Sequence, residues 1–302
     1  MNGKTARGLL AGRLMYIRSI LRGGAIRIGY CSQPAFLIIG AQKSGTSALS
    51  SYLLKHPNIT RTYKKEIHFF DRDIAYARGL TWYHSHFPLP NEIGRRAITF
   101  EATPSYLYRS KSAHRIYKYD PNIKLIVLLR DPVDRAYSQW NMYRILLSEN
   151  RQHLFQVTRD SDVPVRQWAD KVLASDSFHD FCEAVREELD MILTGKPTPE
   201  PSYIRRGLYY EQLNHYLGHF DLKQILIIDS RLLKRKPVSV LDQVTQFLGL
   251  SSYNWSSQEL PLIHARPYQQ KMSEKTLTLL HEFYRPYNER LYELLGHDFG
   301  WE

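Results

Sequence analysis

Acidic residues are missing from the first 65 positions of this 302-residue chain, which carry 11 Lys or Arg and no Asp or Glu. The remainder is balanced, 30 basic against 30 acidic residues, so the formal charge of +11 sits at the front. Such a gradient gathers polyanions at one part of the molecule. Cysteine is scarce as well. Cys31 and Cys182 are too few for a disulfide framework and wrongly spaced for a zinc site, so two free thiols and a reducing, cytoplasmic setting are expected. Long apolar runs are absent too: Arg13, Arg18 and Arg22 break the stretch from Leu9 to Ile26, which speaks against a membrane span and a cleaved leader. What remains there is a stripe of Leu10, Leu14, Ile17 and Leu21 flanked by arginines. Residues 1–33 are therefore expected to be a basic extension. It is either loosely ordered, or an organellar targeting segment, or an amphipathic helix making a weak peripheral membrane contact through residues 1–30. No repeat or low-complexity tract argues for an array, and 43% hydrophobic residues suffice for one large domain, expected over 34–302.

What is present is concentrated in residues 36–52, FLIIGAQKSGTSALSSY. Phe36 to Ile39 read as a buried strand, Gly40 and Gly45 permit a loop too tight for a Cβ, and Thr46 with Ser47 opens a helix whose free N–H groups face an anion. This is the pattern of a phosphate cradle. Gly40 and Gly45 keep the Walker spacing, yet Thr46 stands where an NTPase has its lysine, and the loop's one lysine is Lys43. The ligand is therefore expected to differ from ATP.

Further along, strands are expected at 97–101, at 123–129 and at 224–229, with helices at 46–55, 132–147, 178–193, 207–220, 238–248 and 273–295. The stretch 64–71 reads as a loop, and 148–206 as a variable region with helical pieces, a Pro-rich loop and no convincing strand. Alternating strands and helices predict an α/β fold, a P-loop-NTPase-like parallel sheet covered by helices on both faces, with ligands at the carboxyl ends of the strands.

Three motifs in consistent order carry a resemblance: Gln42-Lys43-Ser44-Gly45-Thr46-Ser47-Ala48-Leu49, then Lys65-Glu66-Ile67-His68-Phe69-Phe70-Asp71, then Leu128-Leu129-Arg130-Asp131-Pro132 with Ser138. From about residue 34 to Trp301 the chain resembles the sulfotransferase family, specifically its heparan-sulfate-type branch of N- and 3-O-sulfotransferases. The resemblance implies a sulfuryl group moved from 3′-phosphoadenosine 5′-phosphosulfate (PAPS) to a hydroxyl or amine of a glycan, lipid or small natural product. Adenosine 3′,5′-bisphosphate is left behind, and neither a metal nor a nucleic-acid partner is implied. It further implies that Lys43 reaches the bridging oxygen of the leaving phosphate, while the amides of Ser44, Gly45, Thr46 and Ser47 and the Thr46 and Ser47 hydroxyls hold the 5′-phosphate. Glu66 is the implied general base. His68, on the same face if the segment is extended, would orient it or touch the acceptor, and Asp71 would hold the motif.

Arg130 and Ser138 match the pair that grips the 3′-phosphate, and Arg266 falls in a loop that clasps the nucleotide. Departures exist: Ala102 replaces a lysine that follows the second strand's glutamate, Ser47 replaces an arginine of one subgroup, and the disulfide-bonded loop is absent. Fewer cations weaken the case for a polyanionic glycosaminoglycan acceptor. Two other readings stay open at this point. One is a nucleotide kinase or NTPase using Asp229 as a Walker B carboxylate, which the missing Gly-Lys-Thr opposes. The other is a non-catalytic basic nucleotide or glycan binder, opposed by the pairing of Lys43 with Glu66. His84 and His86 lack carboxylate or cysteine partners at useful spacing and read as packing or surface residues.

Overall fold

The computed structural model describes residues 23–302 except 95–96, 159–160, 162, 176–177, 198–199, 262, 264–267, 269 and 302. Five strands, β1 (Pro34–Gly40), β2 (Ile59–Thr60), β3 (Ile98–Ala102), β4 (Lys124–Leu129) and β5 (Ile225–Asp229), form one parallel sheet in the order β2-β3-β1-β4-β5. The helices that cover the sheet and frame its carboxyl edge are α1 (Thr46–Leu53), α2 (Ser110–Tyr119), α3 (Pro132–Glu149), α4 (Phe181–Leu193), α5 (Tyr209–Leu217), α6 (Pro237–Leu248) and α7 (Glu274–Leu295).

The continuous apolar runs of β1 and β4 follow from cover on both faces. Phe36, Ile38, Ile126 and Leu128 point to one side, into a core with Leu49 and Leu53 of α1 and Leu241 and Val244 of α6. Leu37, Ile39, Leu125, Val127 and Leu129 point to the other, against Ala113 and Ile116 of α2, Leu213 and Tyr216 of α5 and Leu291 of α7. Each such aliphatic side chain contributes roughly 1.5–3 kcal/mol by leaving water, so these two strands are the rigid keel of the molecule. A third cluster joins α3, through Val133, Ala136 and Trp140, to Phe181 and Val185 of α4 and to Leu280 and Tyr284 of α7.

From β1 the chain travels to the far edge at β2, returns through β3, and crosses to β4 on the other side of β1. The order reverses between β1 and β4, and the crevice at such a reversal is where open α/β sheets bind ligands. The phosphate loop and Arg130 both leave the sheet there.

Several element boundaries differ from expectation for local reasons. Helix α4 starts at Phe181, not 178, because the Asp180 carboxylate accepts the Cys182 and Glu183 N–H groups and so caps it. Helix α5 starts at Tyr209, since Arg205–Gly207 form a 3₁₀ turn. Strand β2 has two residues and shows no alternation to read, and α2 has a largely polar outer face that hides its three buried positions, Ser112, Ala113 and Ile116. Between α3 and α4 lie helices Arg151–Thr158 and Val163–Leu173, the second of which sets Trp168 edge-on to Tyr143 of α3 at 4.7 Å. Among the described residues no helix is long and apolar enough to cross a membrane. Of the basic extension, residues 1–22 lie outside the described residues; after them Ile28 and Tyr30 are exposed.

Candidate active site

The loop between β1 and α1 takes its shape from its glycines. A Cβ on Gly40 would sit 2.5 Å from the Leu107 Cβ, so the strand can approach that neighbour only without a side chain. Gly45 caps α1 in the left-handed region, φ +93°, where other residues are strained. Because the cap offers no side-chain acceptor, the N–H groups of the first helical turn stay open to an anion. The Ala41 N–H donates to the Leu128 carbonyl at 2.7 Å, and Arg130 Nη1 donates to the Lys43 carbonyl at 3.3 Å, so the loop and the end of β4 form one unit. Beneath them the Tyr209 hydroxyl donates to the Arg130 carbonyl at 2.8 Å. On the rim, Lys65 Nζ donates to Ser47 Oγ at 2.7 Å.

Lys43 sits in a left-handed conformation, φ 70°, at the centre of this arrangement. Burial and the neighbouring Arg130 and Arg135 guanidinia lower its pKa to about 8, against the opposing pull of Glu66. The Lys43 amine thus lies within electrostatic reach of both Arg130 and Glu66.

The segment 64–71 supplies the opposite wall. Its buried residues Ile67, Phe69 and Phe70 anchor it in the core that faces α2. As expected the segment is a loop, and the condition of an extended run is not met: Glu66 and His68 both have positive φ, 52° and 59°, and this coiling rather than strand alternation brings their side chains together. His68 Nε2 lies 3.8 Å from Glu66 Oε2, while His68 Nδ1 lies 2.8 Å from Asp71 Oδ2. Ser105 Oγ donates to the same Asp71 oxygen at 2.5 Å. Burial pushes the Asp71 carboxyl up, yet His68 and the hydrogen bonds from His68 and Ser105 outweigh it and hold its pKa below the ordinary value. The result is a line of groups, Asp71 to His68 to Glu66, ending beside Lys65, whose Nζ is 3.8 Å from Glu66 Oε1.

A buried glutamate fixes this wall from behind. Glu101 of β3 accepts from the Tyr83 hydroxyl at 2.7 Å, the Thr103 hydroxyl at 2.6 Å and the Tyr106 hydroxyl at 2.7 Å. The Tyr106 oxygen in turn accepts the Phe69 N–H at 3.0 Å. Burial raises the Glu101 pKa, with the three hydroxyl donors opposing it. Hydrogen bonds of this kind contribute about 1 kcal/mol net each, and more when one partner is removed and the other is left buried.

Ser138 is buried on α3, two turns from its start, and Arg130 also pairs with exposed Asp134 at 3.3 Å. Ser44 and Thr46 are buried, so of the loop hydroxyls it is Ser47 that reaches the rim. Arg266 lies outside the described residues. Asp229, the supposed Walker B carboxylate, caps the helix Ser230–Arg235 and is clasped by the Arg231 guanidinium at 2.9 and 3.0 Å. That engagement removes the sequence argument for a magnesium-holding strand. His84 packs between Cys31 Sγ at 3.4 Å and the Tyr119 hydroxyl at 3.0 Å, and His86 caps the Trp82 carbonyl. Sequence reasoning missed Lys65 on the rim, Tyr209 beneath the loop and Arg135 behind it. Only Lys65, adjacent to the glutamate, gave any linear signal.

Comparison with known proteins agrees with this geometry. The family model for the sulfotransferase domain matches residues 33–286. Heparan sulfate glucosamine 3-O-sulfotransferase 6 of Homo sapiens is 31% identical over 89% of this chain and 73% of its own length. The membrane-associated sulfotransferase kil1 of Dictyostelium discoideum is 28% identical over 89% of this chain and 66% of its own. The crystal structure of a sulfotransferase from Alicyclobacillus acidocaldarius superposes with a TM-score of 0.62 at 25% identity, covering 89% of this chain and 98% of that one. With the family model spanning most of the sequence, and the phosphate loop and Arg130 both leaving the sheet at its reversal point, the chain belongs to the sulfotransferase family, enzymes that move a sulfuryl group from PAPS.

Proposed function

We propose that residues 34–302 act as a single domain that transfers the sulfuryl group of PAPS to a hydroxyl of a carbohydrate acceptor. The observation that carries this reading is that Arg130 Nη1 donates to the Lys43 carbonyl at 3.3 Å while Lys65 joins the loop to the Glu66 carboxylate, its Nζ 2.7 Å from Ser47 Oγ and 3.8 Å from Glu66 Oε1. The donor supplies an activated sulfur; the chain supplies charge and alignment. The open amides at the start of α1, with Ser47 and Lys65, suit its 5′-phosphate, and Arg130 with Ser138 suits its 3′-phosphate. Glu66 takes the proton of the acceptor hydroxyl as its oxygen bonds to sulfur. Lys43 meets the negative charge that collects on the phosphate oxygen as its bond to sulfur breaks. His68, braced by Asp71 and Ser105, holds the Glu66 carboxylate in line.

The acceptor side favours a sugar. Tyr143 lies within the field of Glu66 and packs on Trp168, and Tyr108 stacks under Arg206 at 4.2 Å, so the surroundings combine aromatic faces with charged groups. Glu200 neutralises Arg206 at 2.9 Å and Arg109 at 2.8 Å, and buried Ala102 stands after Glu101, which together favour an acceptor less densely anionic than a fully sulfated polymer. The names of several relatives specify a glucosamine acceptor, which fits this choice.

Calorimetry with adenosine 3′,5′-bisphosphate and, separately, with ATP plus Mg²⁺ tests the donor assignment. Micromolar binding of the bisphosphate and weak binding of ATP are expected; the reverse order would end the reading. In Arg130→Ala the preference for the bisphosphate over its analogue lacking the 3′-phosphate should collapse by about ten- to a hundredfold, the worth of one or two charge-assisted hydrogen bonds.

We also assign residues 1–30 to a peripheral contact of this cytoplasmic enzyme with an anionic membrane, on the strength of their charge and of exposed Ile28 and Tyr30. Co-sedimentation with phosphatidylserine vesicles should be strong at low salt and fall steeply as salt rises. Equal recovery with neutral phosphatidylcholine vesicles would remove the assignment.

A further inference from the structure

Lys65 stands between the phosphate loop and the proposed base. In an extended run the side chains of residues 65 and 66 would point to opposite faces, but Glu66 takes positive φ, 52°, a conformation that glutamate does not favour, and the turn sets both on one rim. Lys65 Nζ lies 2.7 Å from Ser47 Oγ, in the first turn of α1, and 3.8 Å from Glu66 Oε1. The second carboxylate oxygen, Oε2, is 3.8 Å from His68 Nε2, and His68 is itself pinned by Asp71 and Ser105. Each oxygen of the carboxylate thus has its own neighbour, a braced imidazole on one side and a movable ammonium on the other. The Lys65 and Glu66 side chains are 58% and 39% exposed, so their ion pair is long and screened by water, and little holds the ammonium to the carboxylate. The shorter bond to Ser47 keeps it beside the open N–H groups at the start of α1.

We propose that Lys65 couples donor binding to the freedom of the base. The phosphate end of the donor, seated at the α1 N-terminus next to Ser47, brings more negative charge and more acceptor oxygens than one carboxylate, so it outcompetes Glu66 for the same ammonium. When Lys65 turns to the phosphate, Glu66 Oε1 is left open for the proton of the acceptor hydroxyl, while His68 stays beside Oε2. Lys65 is then a positioning residue that serves two anions in succession, and the base is uncovered only once the donor is seated. This rests on the assignment of the crevice as the donor site.

Calorimetry with adenosine 3′,5′-bisphosphate on the full chain closes a double-mutant cycle between Lys65→Met and Glu66→Gln, with Lys65→Arg as the conservative variant and the thermal midpoint as the check on folding. Lys65→Met should weaken binding about tenfold at an unchanged midpoint, and Lys65→Arg should retain most of the affinity. Glu66→Gln releases the ammonium and should tighten binding about two- to threefold; that gain should vanish in the double variant, which binds as Lys65→Met does. A gain that is the same with and without Lys65 would show that Glu66 repels the donor directly, and it would overturn the proposal. So would no gain at all, full affinity in Lys65→Met, or a Lys65→Met protein that melts far lower and so marks the bond to Ser47 as a structural tie. Absence of bisphosphate binding by the wild type would instead sink the donor-site reading on which it stands.

Discussion

Glu66→Gln is expected to lower sulfuryl transfer by about two or more powers of ten while leaving affinity for adenosine 3′,5′-bisphosphate within about threefold of wild type. The substitution keeps the shape and hydrogen-bonding reach of the side chain and removes only its capacity to take a proton. Affinity should persist because the proposed donor contacts lie at the α1 N-terminus, Ser47 and Arg130, and of their neighbours only Lys65, 3.8 Å from Glu66 Oε1, loses an ion-pair partner, which leaves its bond to Ser47 in place. Of the two groups that could accept a proton on this wall, His68 is the poorer candidate. Its Nδ1 is committed to Asp71 and Ser105, and its Nε2 faces the Glu66 carboxylate rather than open space. Asp71→Asn, which weakens the brace and leaves Glu66 in place, should cost about tenfold in kcat with little change in affinity. Single-turnover measurements under saturating donor separate the chemical step from product release. Unchanged turnover in Glu66→Gln would move the base to His68.

Much of the site was legible because its parts are local. The phosphate loop is a strand, two glycines and a helix start in 17 consecutive residues, and Asp131-Pro132 announces α3 by the same chemistry that caps it, with Asp131 Oδ1 accepting the Val133 N–H at 2.8 Å. The doubly covered parallel sheet was readable as a class, since an unbroken apolar run such as Leu125 to Leu129 requires cover on both faces. What could not be read depends on contacts distant in sequence. Tyr106 looks like an ordinary aromatic residue until Glu101 and the Phe69 N–H converge on its oxygen. Arg135 looks like a helix-surface arginine until α4, α5, α7 and the segment at Tyr203 close around it. The left-handed Glu66 and His68 are illegible for another reason. Neither residue favours positive φ, so no propensity signals it, and the conformation is imposed by the anchoring of Ile67, Phe69 and Phe70.

Lys43→Ala is expected to lower kcat by about two to three powers of ten, the usual loss when one donor to a developing negative charge is removed. The more diagnostic result is the pH dependence. Because burial, Arg130 and Arg135 bring its pKa down to about 8, the amine of the free enzyme is charged below that pH and neutral above it. The kcat/KM for the donor should therefore be flat below pH 8 and fall about tenfold per unit above it. A bound polyanion restores the proton, so kcat at saturating donor should keep its plateau to higher pH. Lys43→Arg, which cannot lose its charge in this range, should show no such limb; a limb at the same pH in that variant assigns the titration to another group. The linkage to stability has a definite sign. The folded pKa is below the unfolded value of 10.5, so the unfolded chain binds the proton more tightly, and the unliganded enzyme should gain stability as pH rises from 8 toward 10.5. Lys43→Met should remove that contribution and melt higher than wild type at about pH 7. On the proposed reading, the same crowding of cations that lowers the Lys43 pKa attracts the donor, so the variants that raise the stability of the protein without ligand should be those that bind the bisphosphate least well.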